Sequence, residues 1–117
     1  MRRLGGLAAG MRSVKAAESP TMPSPYEIAR TPGGKHHGWY LQQKLLSVEE
    51  LSNGIESFER QIAKHEGWIA DPLTKTADFY GFDPRRQSAL VVGWRQDIQR
   101  HRDCIEILRS VIMEKKA

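Results

Sequence analysis

The chain has 117 residues, which limits it to one small domain, and 39% of them are hydrophobic, including three tryptophans. Its single cysteine, Cys104, excludes an internal disulfide framework and a cysteine-rich zinc site. The formal net charge is +4, and this excess lies entirely in residues 1–46, which carry seven Lys/Arg and two acidic residues. A basic arm on a nearly neutral body suits a nucleic-acid partner, and a solvated tail is the alternative.

Residues 1–32 are predicted to be a flexible basic leader or linker, followed by one small helical domain over residues 33–117. Glycines and an arginine interrupt the apolar run at the start, so this segment is too short to cross a membrane. Four prolines and a pair of adjacent glycines in residues 19–34 are typical of a linker. No later stretch is apolar enough for membrane insertion.

The segment KHHGWY, Lys35–Tyr40, holds the densest group of chemically active side chains. The imidazole of His36 could act as a general acid or base near neutral pH. The ammonium of Lys35 could stabilise the charge of a phosphorane during phosphodiester cleavage. His37 and Tyr40 are candidate substrate contacts. No metal site is expected, because adjacent histidines rarely face one ion, and a basic loop anchored by two aromatic residues is the structural alternative.

Residues 39–46 are predicted to form a short helix or turn that packs on the helices after it. A long helix is predicted at about 47–71. It starts with a capping box between Ser47 and Glu50, and apolar residues three, four and seven apart form one seam along it. The helix ends before Pro72, because the residue preceding a proline is pushed out of the helical conformation.

A second long helix is predicted at about 84–114, with an N-capping aspartate and a proline at its first position. Its own apolar seam makes the two long helices an antiparallel hairpin, so the expected fold is all-α. Aligning the two seams places His101 near Phe58 and His65 near Trp94.

A polar stripe lies beside the first seam. Ser57, Gln61 and His65 are four residues apart, so they share one helix face. His65 is a candidate acid–base group and Ser57 and Gln61 are candidate substrate contacts, whereas a packed core histidine is the alternative. A glycine inside a helix costs about 1 kcal/mol relative to alanine, so Gly54 and Gly67 indicate that something packs closely on this face.

On the second helix, Asp97 precedes His101 by four residues. A carboxylate at this spacing could orient an imidazole, and Asp97 is also a candidate substrate contact. The alternative is ordinary helix surface chemistry, like that of the arginines and acidic residues around it. Cys104 is expected to be an inert thiol.

Taken together, these residues resemble the C-terminal toxin modules of Rhs and related polymorphic toxin proteins. In those modules a GKH-x-G segment precedes a helix of the type GI-x-S-x-E-x-QI-x3-H-x3-I-x-NP, and a helix of the type W-x-x-DI…IL follows. The resemblance covers about residues 33–110. The matching positions are Gly34, Lys35, His36, Gly38, Gly54, Ser57, Glu59, Gln61, His65, Pro72, Trp94 and Asp97. The chain departs from the pattern at Asp71, where asparagine is expected, and at His101, where glutamine is expected.

The resemblance implies a toxin domain delivered by a bacterial secretion system into the cytoplasm of a target cell and neutralised by a cognate immunity protein. It transfers no catalytic assignment. The favoured chemistry is a metal-independent nuclease without a cofactor, in which His36 and His65 exchange protons and Lys35 stabilises charge. That pair could meet only if residues 36–46 ran back along the long helix, and a compact helix there would separate the two histidines.

Two other functions stay open. The first is a non-catalytic helical module that binds nucleic acid or protein through the basic arm and the hairpin. The second is a toxin that acts on NAD or another nucleotide, although the sequence has no glycine-rich phosphate loop opening a helix.

Overall fold

The computed structural model describes residues 22–117, which are helical and contain no strand, so the all-α prediction is confirmed. Residues 1–21, most of the predicted leader, lie outside the described residues. The helices are α1 (Pro25–Arg30), α2 (His37–Gln43), α3 (Val48–Ala70) and α4 (Pro84–Lys116), and two short 3-10 turns, Pro72–Thr74 and Phe79–Gly81, link α3 to α4.

The long helices α3 and α4 form the predicted hairpin and begin where the capping signals place them. The hydroxyl of Ser47 accepts a hydrogen bond from the backbone N–H of Glu50 at 3.1 Å, and the Glu50 carboxylate accepts one from the Ser47 N–H at 2.9 Å. The carboxylate of Asp83 caps α4 by accepting the backbone N–H of Arg86 at 3.1 Å. Each cap satisfies amides that the first helical turn leaves unpaired.

The two seams meet in nearly the predicted register. The rings of Phe58 and His101 lie 5.5 Å apart, as the alignment of the seams requires. His65 packs at 4.4 Å on Trp68, and it is Trp68 whose ring contacts Trp94, at 5.9 Å. The ring of Trp68 thus lies against both His65 and Trp94, in keeping with the expected proximity of these two residues.

The two glycines of α3 have different surroundings. A Cβ on Gly54 would lie 3.2 Å from Cδ1 of Leu108, so α4 packs tightly at this position. A Cβ on Gly67 would meet nothing within 4 Å. The interpretation of a close approach is thus confirmed for Gly54 and wrong for Gly67.

Helices α1 and α2 pack against α4 and close the core at its C-terminal half. The buried side chains at its centre are Ala29, Tyr40, Leu51, Ile107, Leu108 and Val111. Part of the predicted linker therefore belongs to the helical body, because α1 lies within it. The proline-rich composition misled the prediction, because Pro25 occupies the first turn of α1, where its missing N–H costs nothing.

A hydrogen-bonded cluster joins the three helices at this end. The phenols of Tyr26 and Tyr40 both donate to Oε2 of Glu114, the latter at 2.7 Å, and the backbone N–H of Tyr26 donates to Glu106 at 3.0 Å. Burial, and then the hydrogen bond to Glu114, raise the pKa of Tyr40 to about 12. Tyr40 is thus a core residue, and its predicted role as a substrate contact is not supported by its position.

We expect Tyr40→Phe to lower the free energy of unfolding by about 1.5 kcal/mol, the lower end of the range for a hydrogen bond to a charged group, because Tyr26 still binds Glu114. Urea unfolding of the purified protein measures this difference. Tyr80→Phe is the matched control, since Tyr80 is largely exposed and should change stability by less than about 0.5 kcal/mol. An equal loss in both variants would contradict the assignment.

Within residues 22–117, no helix has both the length and the hydropathy required to cross a bilayer.

Candidate functional site

The loop between α1 and α2 presents Lys35 and His36. Gly33 adopts a positive φ of 82° and His36 one of 68°, and His36 is the N-cap of α2. A Cβ on Gly34 would lie 2.0 Å from the carbonyl oxygen of Ile28, so only glycine fits there. The Nδ1 atom of His37 lies 2.7 Å from the Ala29 carbonyl oxygen, which makes His37 an anchor between α1 and α2 and not a free substrate contact.

A row of aromatic rings leads from this loop into the hairpin. In order along the row, the rings are those of His36, Trp39, Phe58, His101 and His65. Each ring contacts the next, with centroids 5.5–6.2 Å apart. His36 and His65 therefore stand at its two ends, with three rings between them. The compact helix α2 produces this separation, so the predicted acid–base pair of His36 and His65 is not formed.

His65 is buried, with 8% of its surface exposed, and both of its ring nitrogens face acceptors. The Nδ1 atom lies 2.7 Å from the Gln61 carbonyl oxygen, and the Nε2 atom lies 3.4 Å from Oδ2 of Asp97. Both nitrogens of His65 therefore face oxygen atoms of the protein itself. His65 is therefore an anchored core histidine, and Gln61 contributes its backbone to the group.

Asp97 connects His65 with a cation on the surface. Its Oδ1 atom accepts a hydrogen bond from Nη1 of Arg100 at 2.7 Å. This bond lowers the pKa of the Asp97 carboxyl in spite of partial burial, which acts in the opposite direction. Asp97 thus holds His65 and Arg100, and the predicted pairing with His101 on its own helix is replaced by a pairing across the hairpin.

His101 was not among the candidate site residues predicted from the sequence. Its Nδ1 atom is buried and has no hydrogen-bond partner, and Nε2 of His36 is in the same condition. Burial, followed by the charges of Arg100 and His65, lowers the pKa of His101, while Asp97 opposes this effect. His101 is consequently neutral near pH 7. The signal in the sequence was that it interrupts the apolar seam of α4 as His65 interrupts that of α3.

The Cys104 thiol is buried in α4. Burial and the charge of Asp103 raise the pKa of this thiol, whereas the charges of Arg100 and Lys35 oppose the increase. Because the thiolate is the reactive form, these conditions favour the expectation of an inert thiol.

The remaining predicted site residue on α3, Ser57, does not join the group around His65 and Asp97. Ser57 is exposed on α3, so the polar stripe does not form one continuous wall. The described residues contain no group of three or more His, Cys, Asp or Glu side chains able to hold a metal ion. A surface groove of about 580 Å³ lies between α3 and α4 and is lined by other residues, among them Glu59, Ile62 and Arg109.

Comparisons of this chain with protein-family models, with curated proteins and with solved structures found no match. The candidate site therefore rests on its own geometry: a loop that carries Lys35 and His36, the ring of His101 in the hairpin, and Arg100 held by Asp97.

Proposed function

We propose that this chain is a polymorphic-toxin effector domain that cleaves RNA or DNA without a metal ion. The observation that carries the proposal is that a row of rings through Trp39 and Phe58 connects His36, on the α1–α2 loop, with His101 in the hairpin. Each of the two histidines has one buried imidazole nitrogen without a hydrogen-bond partner. The resemblance to Rhs toxin modules supports delivery into a target cell and neutralisation by an immunity protein.

Phosphodiester cleavage needs a base for the attacking hydroxyl, an acid for the leaving oxygen and positive charge for the phosphorane. The lowered pKa of His101 keeps its imidazole in the form that accepts a proton. His36, the half-buried N-cap of α2, would serve as the second proton-transfer group. Lys35, which is exposed, supplies charge. In this scheme His65 and Asp97 support the site, which revises the role assigned to His65.

Inducible expression in a bacterium tests the proposal, with inspection of total RNA and DNA after induction. We expect the wild type to stop growth and degrade nucleic acid. His36→Ala and His101→Gln should each lower cleavage by about 100-fold or more, the usual contribution of a general acid or base. His101→Gln separates the two arguments, because the resembling modules carry glutamine at this position. Cleavage that persists in His101→Gln contradicts the role given to His101 and leaves the resemblance intact.

Lys116→Ala, at the exposed end of α4, is the control and should remain as toxic as the wild type. A wild type that does not impair growth contradicts the toxin function. Toxicity with intact nucleic acid contradicts the nuclease and favours other nucleotide chemistry. Binding of nucleic acid that survives both histidine substitutions but is lost on charge reversal in residues 1–21 would favour the non-catalytic module.

A further inference from the structure

Helices α1 and α2 leave one side of the α3–α4 hairpin open. Trp39 of α2 packs against Phe58 at 6.2 Å, and Ala29 of α1 lies in the core. The groove of about 580 Å³ adjoins a second groove of about 370 Å³, and Arg102 lines both of them. Within residues 22–117, the two grooves are lined only by residues of α3 and α4. This open side of the hairpin is the groove face.

The floor of the groove face is a regular array of isoleucines. Ile62 and Ile69 lie seven residues apart on α3, and Ile98 and Ile105 lie seven apart on α4. Ile98 and Ile105 are buried, whereas Ile62 and Ile69 keep part of their surface exposed. At one end the groove is lined by Met113, which is 68% exposed. A repeat of seven residues is typical of helices that pack side by side in coiled coils and four-helix bundles.

Charged side chains border this floor, with acids on one helix and bases on the other. Glu59 of α3 accepts a hydrogen bond from Arg109 of α4 at 3.4 Å, and Glu66 accepts one from Arg102 at 3.2 Å. All four side chains are 51–63% exposed. A guanidinium has five N–H donors and a carboxylate has two acceptor oxygens, so each of these groups can bind a second partner of opposite charge.

This charge pattern is complementary to itself under a two-fold rotation about an axis parallel to the helices. Such a rotation places α3 of one copy over α4 of the other and keeps every residue at the same height along the axis. Glu59 of one copy then meets Arg109 of the other, and Glu66 meets Arg102. A two-fold axis across the helices would instead place glutamates over glutamates, and like charges repel. The pattern therefore favours a second copy in the first orientation.

The size of the groove face also suits such a contact. The 23 residues of α3 form a helix about 35 Å long, and two packed helices are about 20 Å wide. The face thus measures roughly 700 Å², close to the area of about 800 Å² that each partner contributes to a stable interface.

We propose that the groove face binds a second copy of this chain, so that two α3–α4 hairpins form a four-helix bundle. The isoleucine floors face each other, and alternating glutamates and arginines of the two copies form networks at two heights along the bundle. The α1–α2 loop with Lys35 and His36 lines neither groove and stays outside this interface. The dimer is therefore independent of the proposed nuclease function.

Sedimentation of the purified full chain in the analytical ultracentrifuge tests the dimer. We expect the double variant Glu59→Lys, Glu66→Lys to raise the dissociation constant of the dimer by at least about tenfold, because four arginines would then face four lysines. The double variant Glu49→Lys, Glu56→Lys is the matched control. It makes the same change at the same spacing on the same helix, at exposed residues that line neither groove. It should change the dissociation constant by less than about threefold.

The double variant Arg102→Glu, Arg109→Glu reverses the other half of the pattern and should be equally weak as a dimer. An equimolar mixture of the two groove variants should dimerise, because the all-basic face of one then meets the all-acidic face of the other. Exposed ion pairs contribute little to stability, so each variant should keep the helical circular dichroism of the wild type. Dimerisation of the mixture would also show that both variants are folded.

Three results would overturn the proposal. A wild type that is monomeric at about 100 μM leaves the groove face without a second copy, and a different protein would then be its occupant. A dimer that survives both groove variants uses another surface. A mixture of the two groove variants that stays monomeric contradicts the pairing of glutamates with arginines. None of these results depends on whether the chain cleaves nucleic acid.

Discussion

Leu51→Ala is expected to lower the free energy of unfolding by about 2–5 kcal/mol. Leu51 is 0% exposed and lies in the core where α3 meets the C-terminal half of α4, beside Ile107, Leu108 and Val111. The change removes buried methyl groups and leaves a cavity, and rigid helices on both sides limit the collapse around it. For a domain of this size, a loss of that magnitude is a large part of the total stability.

Urea unfolding followed by circular dichroism measures this effect. Leu45→Ala is the matched control, since it makes the same chemical change at a side chain that is 85% exposed, between α2 and α3. It should alter the free energy of unfolding by less than about 0.5 kcal/mol. Similar losses in the two variants would show that Leu51 is not at the centre of the core.

If the chain has the proposed nuclease function, Gly34→Ala is expected to reduce nucleic-acid cleavage by about 100-fold, although residue 34 has no side chain to react. Its new Cβ would lie 2.0 Å from the carbonyl oxygen of Ile28. Because that oxygen belongs to the backbone, the contact is relieved only if the loop moves. Lys35 and His36 follow directly and would move with it. A displacement of about 1 Å at reacting groups can cost about two orders of magnitude in rate.

The cleavage rate and the unfolding free energy of Gly34→Ala should be measured on the same preparation. Gly38→Ala provides the comparison, because a Cβ there meets nothing within 4 Å and the residue lies inside α2. It should stabilise the helix by up to about 1 kcal/mol and leave cleavage intact. Normal cleavage by Gly34→Ala would mean that the loop does not position reacting groups.

The long helices could be predicted because their signals are local and periodic. The capping box at Ser47, the aspartate–proline start of α4 and the two apolar seams act through neighbouring residues, and the structure uses each of them. Helix α1 escaped prediction because its six residues are too few to show a period. Its cap and its proline could equally belong to a turn, and only packing of Ala29 against α4 makes it a helix.

The sequence by itself determined the all-α fold, the hairpin and the neighbours Phe58 and His101. The tertiary structure alone decided which polar groups meet: Asp97 pairs with His65, and Tyr26 bonds to Glu106, which lies 80 residues later in the chain. The physical reason is that periodicity defines the face on which a residue lies, whereas a side-chain contact depends on register and on a third layer of helices. That layer also separates His36 from His65, with the rings of Trp39, Phe58 and His101 between them.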